Sequence, residues 1–219
     1  MERFRDRREA GRRLGATLRD RSSELGLDRP VVLGLPRGGV PVAEEVALAL
    51  GAPLDVLVVR KLGLPHAPEV AMGAVGEREA IVWNEDVRRR SDSAAEVDRI
   101  EQRERAEVTA RVARFRAGRS AVDVAGRTAV VVDDGVATGA TARVACRVVR
   151  ELGAAAVVLA VPVGPADVVA HVPEADAVVC LATPPGFMAV GMHYRDFRQV
   201  EDDEVVAILA GTRPAAEQG

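Results

Sequence analysis

Apolar positions along the chain alternate between two rhythms. Short apolar runs at residues 31–35, 54–59, 128–132, 156–161 and 177–181 have the continuous hydrophobicity of strands buried on both faces. Between them, residues 42–50 and 142–152 carry apolar side chains at helical spacing and are closed by Gly51 and Gly153, with shorter helices at 166–171 and 201–209. Residues 2–25 alternate charge with Leu14, Leu18 and Leu25, which predicts an amphipathic helix on the outside. Strands alternating with helices predict an α/β fold, a doubly wound and mainly parallel sheet. Two segments break the rhythm. Residues 60–76 hold Gly63, Pro65, His66, Pro68, Gly73 and Gly76, which reads as a mobile loop returning as a short ribbon through 71–75 and 80–83. Residues 84–116 interleave Arg and Glu around sparse Val87, Val97, Ile100, Val108, Val112 and Phe115, the pattern of one long or two shorter exposed helices. Trp83 is expected to anchor this flap, and His171 to stand at a helix end.

Composition narrows the class. A chain of 219 residues, 48% hydrophobic and 29% charged, supports one folded domain with an appended flap. A net charge of −3 gives no long-range attraction to nucleic acid or an anionic membrane. No apolar run has the length of a membrane span and the first residues are charged, so a cytoplasmic location is expected. Cys146 and Cys180 lie far apart in apolar segments, as buried thiols rather than zinc ligands or a disulfide. Aromatics are few, so Ala, Val and Leu must build the core. Lys61 is the one lysine among 30 basic residues.

The chemistry concentrates where the strand at 128–132 ends in Asp133-Asp134-Gly135-Val136-Ala137-Thr138-Gly139-Ala140-Thr141. Two adjacent acids at the end of a Val-rich strand need a cation or polar partners. Gly135 and Gly139 permit close backbone approach, and Thr138 and Thr141 add hydroxyls where helical N–H groups open, an arrangement suited to phosphate. Acids for vicinal hydroxyls beside an anion cradle describe a ribose 5-phosphate site. A capped helix start alone would explain one acid and one threonine, not the whole set. The nucleotide motif G-x-x-x-x-G-K-[ST] is absent, and residues 34–39 do not match G-x-G-x-x-G.

These residues resemble the signature of the type I phosphoribosyltransferases: an apolar strand, two acids, a short variable stretch, then Thr-Gly and a further Thr. The resemblance implies that Asp133 and Asp134 bind the ribose hydroxyls of phosphoribosyl pyrophosphate and share in holding Mg²⁺, which the substrate mainly holds, and that residues 137–141 wrap the 5-phosphate. Leu35-Pro36-Arg37-Gly38-Gly39 resembles the family's pyrophosphate loop. Arg60 and Lys61 sit where the family keeps a mobile catalytic loop. Residues 183–200 sit where it has a hood, with Phe187 or Tyr194 to stack on an acceptor and His193 nearby. The implied activity is Mg²⁺-dependent transfer of phosphoribosyl to a nucleobase-like or other small nitrogen acceptor, in a homodimer, with Lys61, Arg37, Asp133 and Asp134 as catalytic residues. A non-catalytic sensor of phosphoribosyl pyrophosphate or a nucleotide is the alternative on the same fold. Where the family's 6-oxopurine enzymes carry an aspartate, this chain has Ala137, which disfavours hypoxanthine and guanine. One domain over 1–219 is expected: an N-terminal helix at 1–28, a core at 30–83 and 127–182, a helical insertion at 84–119, the hood at 183–200, and a C-terminal helix and tail at 201–219.

Overall fold

The computed structural model describes residues 3–89, 93–170 and 172–211. Its centre is a five-stranded parallel sheet in the order β2-β1-β6-β7-β8, formed by β1 (Val31–Gly34), β2 (Leu54–Val56), β6 (Thr128–Val132), β7 (Ala156–Val163) and β8 (Ala177–Ala182). Alternate residues of each strand feed opposite layers. Val32, Val130, Val132 and Val158 face a layer that includes α1 (Arg7–Asp20), α2 (Gly39–Leu50), α4 (Ala94–Arg116) and α7 (Asp202–Gly211). Val31, Ala129, Val131 and Val157 face α5 (Ala140–Glu151), which buries Ala142, Ala145, Cys146, Val148 and Val149. The expected mainly parallel, doubly wound α/β architecture is therefore the observed one.

The N-terminal helix is amphipathic as expected: Leu14 and Leu18 are fully buried where α1 packs closely on α2, and Arg8, Arg12, Arg13 and Arg19 stay exposed. A Cβ on Gly11 would lie 2.7 Å from the Val42 carbonyl oxygen, and one on Gly15 2.7 Å from Ala49 Cβ. The expected ribbon is present as β4 (Ala67–Val75) paired with β5 (Ile81–Trp83), but the loop expected before it is a further strand, β3 (Arg60–Leu64), so the three form an antiparallel sheet. Of the glycines and prolines that argued against strand structure, Pro65 sits at the turn and Gly63 and Pro68 at the bulge, while Gly73 lies within regular pairing to Leu62 and Trp83. Pro65 and His66 make the turn, and the register shifts at Gly63, where a Cβ would overlap the Pro68 backbone. Leu62, Met72 and Val75 bury the inner face.

The Arg/Glu segment yields a short α3 (Glu85–Arg88) and the long α4, capped by Asn84 and Ser93 respectively. Far from wholly exposed, α4 buries Val97, Val108, Phe115 and Arg116. Trp83 is half-buried under Arg88, whose guanidinium carbon stands 4.2 Å from the ring centroid. Cys146 is buried, and burial pushes its thiol up to about 12. Cys180 is only half-buried and its thiol donates to the Ala182 carbonyl at 3.2 Å. The last elements are α6 (Ala166–Ala170), a 3₁₀ turn at Val190–His193 and α7. His171 and the expected frayed tail at 212–219 lie outside the described residues. No helix among the described residues is long and apolar enough to cross a membrane.

Candidate active site

Parallel neighbours β1 and β6 end side by side, with Gly34 opposite Val132, and the turns that follow them face each other. The Leu35 N–H donates to the Val132 carbonyl at 2.8 Å, carrying the pairing past the strand. The chain then turns through a cis Pro36-Arg37 peptide into Gly38, Gly39 and α2. Side chains here would collide with the acids: a Cβ on Gly38 would fall on the Asp134 carboxylate, and one on Gly39 would lie 2.6 Å from the Val132 oxygen. Two glycines thus let the loop after β1 touch the acid pair after β6. The Gly39 N–H is already donated to the Leu35 carbonyl at 2.9 Å. The Gly38 N–H, by contrast, has no partner among the described residues.

The acid pair is held rather than free. The Asp133 carboxylate accepts the Asp134 N–H at 2.9 Å. Burial, and then the neighbouring Asp134 charge, push the Asp133 carboxyl well above the usual carboxylate range. Burial raises Asp134 as well, against the pull of Arg7. The Arg7 Nε donates to Asp134 Oδ2 at 2.8 Å, and its Nη1 donates to the Arg198 carbonyl at 2.8 Å. Its guanidinium lies over the Phe197 ring, 3.9 Å from the centroid. The Tyr194 hydroxyl donates to the Asp134 carbonyl at 2.6 Å.

Beyond the acids, Val190 of the predicted hood packs over Gly135 and the chain rises into α5. Gly139 precedes that helix at φ 72°, a left-handed conformation that favours glycine. Ala137, Thr138 and Thr141 are exposed. The backbone N–H groups of Ala137, Thr138 and Gly139 have no backbone partner among the described residues. Open N–H donors at the N-terminus of a helix thus stand beside two adjacent carboxylates, a combination of anion-favouring and hydroxyl-accepting groups.

The other predicted residues are placed less directly. Arg37 turns toward α7, its Nη1 3.5 Å from Asp202 Oδ1 and 3.8 Å from Glu201 Oε2. Arg60 donates to Glu104 of α4 at 2.8 Å. Lys61 is exposed on β3 and lines a cavity of about 780 Å³ that also reaches Thr141. Phe187 is half-buried and stacked on His193, ring centroids 5.3 Å apart. Tyr194 is corrected: only 3% exposed, its ring contacts Phe4 and Phe197, so it supports Asp134 and offers no face to an acceptor. Arg7, Glu104 and Asp202 were not singled out from the sequence. Arg7 lies in an arginine-rich helix where spacing distinguishes no single residue, and its role follows only from α1 packing beside the acid pair.

The phosphoribosyl transferase domain family model matches residues 2–187. Two proteins of Mycobacterium tuberculosis, from strains CDC 1551 and H37Rv and provisionally named phosphoribosyl transferases, are each 56% identical over 211 residues. The match covers 95% of this chain and 47% of each relative, so the chain spans about half the length of the curated relatives it matches. The crystal structure of TT1426 from Thermus thermophilus is similar at TM-score 0.86 and 46% identity, covering 97% of this chain and 100% of that one. A hypothetical Neisseria gonorrhoeae protein, solved with bound ppGpp, shares the fold at TM-score 0.53 and 13% identity, over 97% of this chain and 99% of its own. With strand, acid pair and open helix start in place and the family model spanning most of its length, this chain belongs to the phosphoribosyl transferase domain family.

Proposed function

We propose that the protein transfers the phosphoribosyl group of phosphoribosyl pyrophosphate to a small nitrogen acceptor and releases pyrophosphate. The observation that carries this reading is the juxtaposition of the Asp133–Asp134 pair with the open N–H groups before α5. In this reading the two carboxylates accept from the ribose 2- and 3-hydroxyls, and residues 137–141 hold the 5-phosphate through backbone N–H groups and the Thr138 and Thr141 hydroxyls. The acceptor nitrogen forms its bond to the anomeric carbon as the bond from that carbon to pyrophosphate oxygen breaks. The proton that an N–H acceptor sheds passes to solvent, and the bonding pair leaves with pyrophosphate. Arg37, the Gly38 N–H and Lys61 stabilise the charge that develops there, which requires Arg37 to exchange Asp202 for the substrate.

The donor set fits Mg²⁺ shared with a substrate. Asp133 has oxygen lone pairs beyond its one N–H contact, and oxygen is the donor Mg²⁺ takes. Among the described residues no group of three or more His, Cys, Asp or Glu could hold a metal, so the diphosphate would supply most of the ligands. The chemistry Mg²⁺ supplies when bound is charge neutralisation on the departing pyrophosphate.

The acceptor is constrained by the exposed Ala137, whose methyl side chain provides neither a base nor a hydrogen bond to a 6-oxopurine. Phe187 is the ring left to stack on an acceptor. Pyrophosphate release should be measured with phosphoribosyl pyrophosphate, Mg²⁺ and an acceptor panel. Release with adenine or another heteroaromatic or amine acceptor is expected, with little or none from hypoxanthine or guanine. Efficient conversion of guanine would overturn the use made of Ala137, and no release with any acceptor would overturn transfer.

A further inference from the structure

Helix α4 presents Glu96, Arg99, Ile100, Arg103 and Glu104 on one face, the i, i+3, i+4, i+7, i+8 stripe that globular helices normally make apolar. This stripe borders an open cavity of about 780 Å³ between α4, the β3–β4 hairpin and the start of α5, with Glu104 buried, Glu96 and Ile100 half-buried, and Arg99 and Arg103 exposed at its rim. The hairpin contributes Arg60 and Lys61 to the same space. Four cations therefore meet two carboxylates. Glu104 is already engaged by Arg60 and Arg103, each at 2.8 Å. Arg99 donates along its own helix to the Ala95 carbonyl at 3.2 Å and contacts no carboxylate among the described residues. The Lys61 ammonium has no hydrogen bond or ion pair among the described residues. The remaining walls are apolar, from Leu64, Pro65 and Pro68 of the hairpin to Ile100 and Val144.

Such a space is too large for an inorganic anion and too apolar to be satisfied by charge alone. Its volume lies in the range of small-molecule sites, roughly 300–1,000 Å³. We propose that the cavity between α4 and the hairpin is a binding site for an organic anion, an apolar ring or chain bearing a phosphate or carboxylate, with Arg99 and Arg103 holding the anionic group. The site lies outside the acid pair and meets the expected phosphoribosyl site at Arg60, Lys61 and Thr141. A bound anion would tie the hairpin to α4 and draw on the same ammonium that is assigned to pyrophosphate.

The test is calorimetric titration with phenyl phosphate and, separately, inorganic phosphate, in the presence of ribose 5-phosphate to fill the cradle before α5. Phenyl phosphate should bind, and inorganic phosphate should bind at least about tenfold more weakly because it forgoes the apolar walls. Arg99→Glu should weaken phenyl phosphate by about tenfold or more, and Arg99→Glu with Arg103→Gln should abolish its binding. Thermal unfolding of both variants checks that the fold is kept. Asp133→Asn with Asp134→Asn should leave phenyl phosphate binding unchanged, so loss of the phosphoribosyl reading does not touch this one. Absence of phenyl phosphate binding, insensitivity to Arg99→Glu, or loss in the aspartate variant would each overturn the site.

Discussion

Arg7 and Asp133 hold opposite electrostatic positions around one pair of acids. Arg7 neutralises Asp134 from behind, its side chain 11% exposed and its partner's 15%. It is a positioning residue, since it reaches the proposed ribose site only through Asp134. Arg7→Ala leaves a nearly buried carboxylate unpaired and should cost about 3–5 kcal/mol. Arg7→Lys should recover part of the stability but not the stacking on Phe197 or the second hydrogen bond to Arg198. Urea unfolding measures both, and a cost under about 1 kcal/mol for Arg7→Ala would remove Arg7 from its supporting role. Asp133 behaves the other way. Its carboxyl titrates higher in the folded chain than in the unfolded one, so the folded state binds the proton more tightly. Stability from this group is full below the ordinary carboxylate value of about 3.9 and declines as pH rises through the raised one. Asp133→Asn removes that decline while its amide oxygen can still accept the Asp134 N–H. It should raise the melting temperature at pH 8 by about 2–4 °C, the shift that about 1 kcal/mol gives in a chain of this size. Below about pH 4 the gain should vanish. The same variant should bind phosphoribosyl pyrophosphate more weakly, so function and stability should part at this position.

Among the elements, α4 depends most on a contact that its own sequence does not announce. Its last residue, Arg116, is buried against Asp55 of β2, with Nε 2.9 Å from Oδ1, and against Glu77 beyond β4. It also donates to the Val56 carbonyl at 3.3 Å. This one guanidinium fastens the α4 wall of the cavity to both sheets. Arg116→Met should therefore destabilise by about 3–5 kcal/mol, and adding Asp55→Asn and Glu77→Gln should restore part of the loss by removing the uncompensated charges. Equilibrium unfolding of the single and triple variants decides it; no recovery in the triple variant would contradict the electrostatic account. The contrast with β1, β6 and β7 shows what was legible in the sequence. Those strands are continuous Val-rich runs, buried on both faces, and local pattern alone identifies them. The turn after β6 was legible because its acids, glycines and threonines lie within a few residues. β3 was hidden, because Gly63, Pro65 and Pro68 carry the same local signal whether they end a strand or shape a bulge, and only the pairing of Leu62 with Gly73 resolves it. Arg116 and Arg7 were hidden too: each is one arginine among many, selected by a carboxylate that is distant in sequence.

At the scale of the whole molecule, the proposed site draws on nearly the full length of the chain. Arg7 comes from α1, Arg37 from the loop after β1, Lys61 from the hairpin, the acids from the end of β6, and Tyr194 from the segment that closes over them. A ligand held by these groups cross-braces elements that are otherwise joined by packing. Because it binds only when they are assembled, it stabilises the native state by mass action. At a phosphoribosyl pyrophosphate concentration about 100 times its dissociation constant, with Mg²⁺ present, the gain should be about 2.7 kcal/mol. For a chain of 219 residues that corresponds to a rise in melting temperature of about 5–11 °C. Asp133→Asn with Asp134→Asn keeps the shape of both side chains but weakens two charge-assisted hydrogen bonds to the ribose, each worth about 1.5–3 kcal/mol. At the same ligand concentration the double variant should show almost none of the rise. Its unliganded melting temperature, read in the same scans, reports separately on the exchange of the Arg7–Asp134 ion pair for a neutral contact. Thermal scans of both proteins, with and without ligand, therefore keep binding and folding apart. A double variant that still gains the full rise of about 5–11 °C would mean that the acids do not hold the ribose and that the braces lie elsewhere.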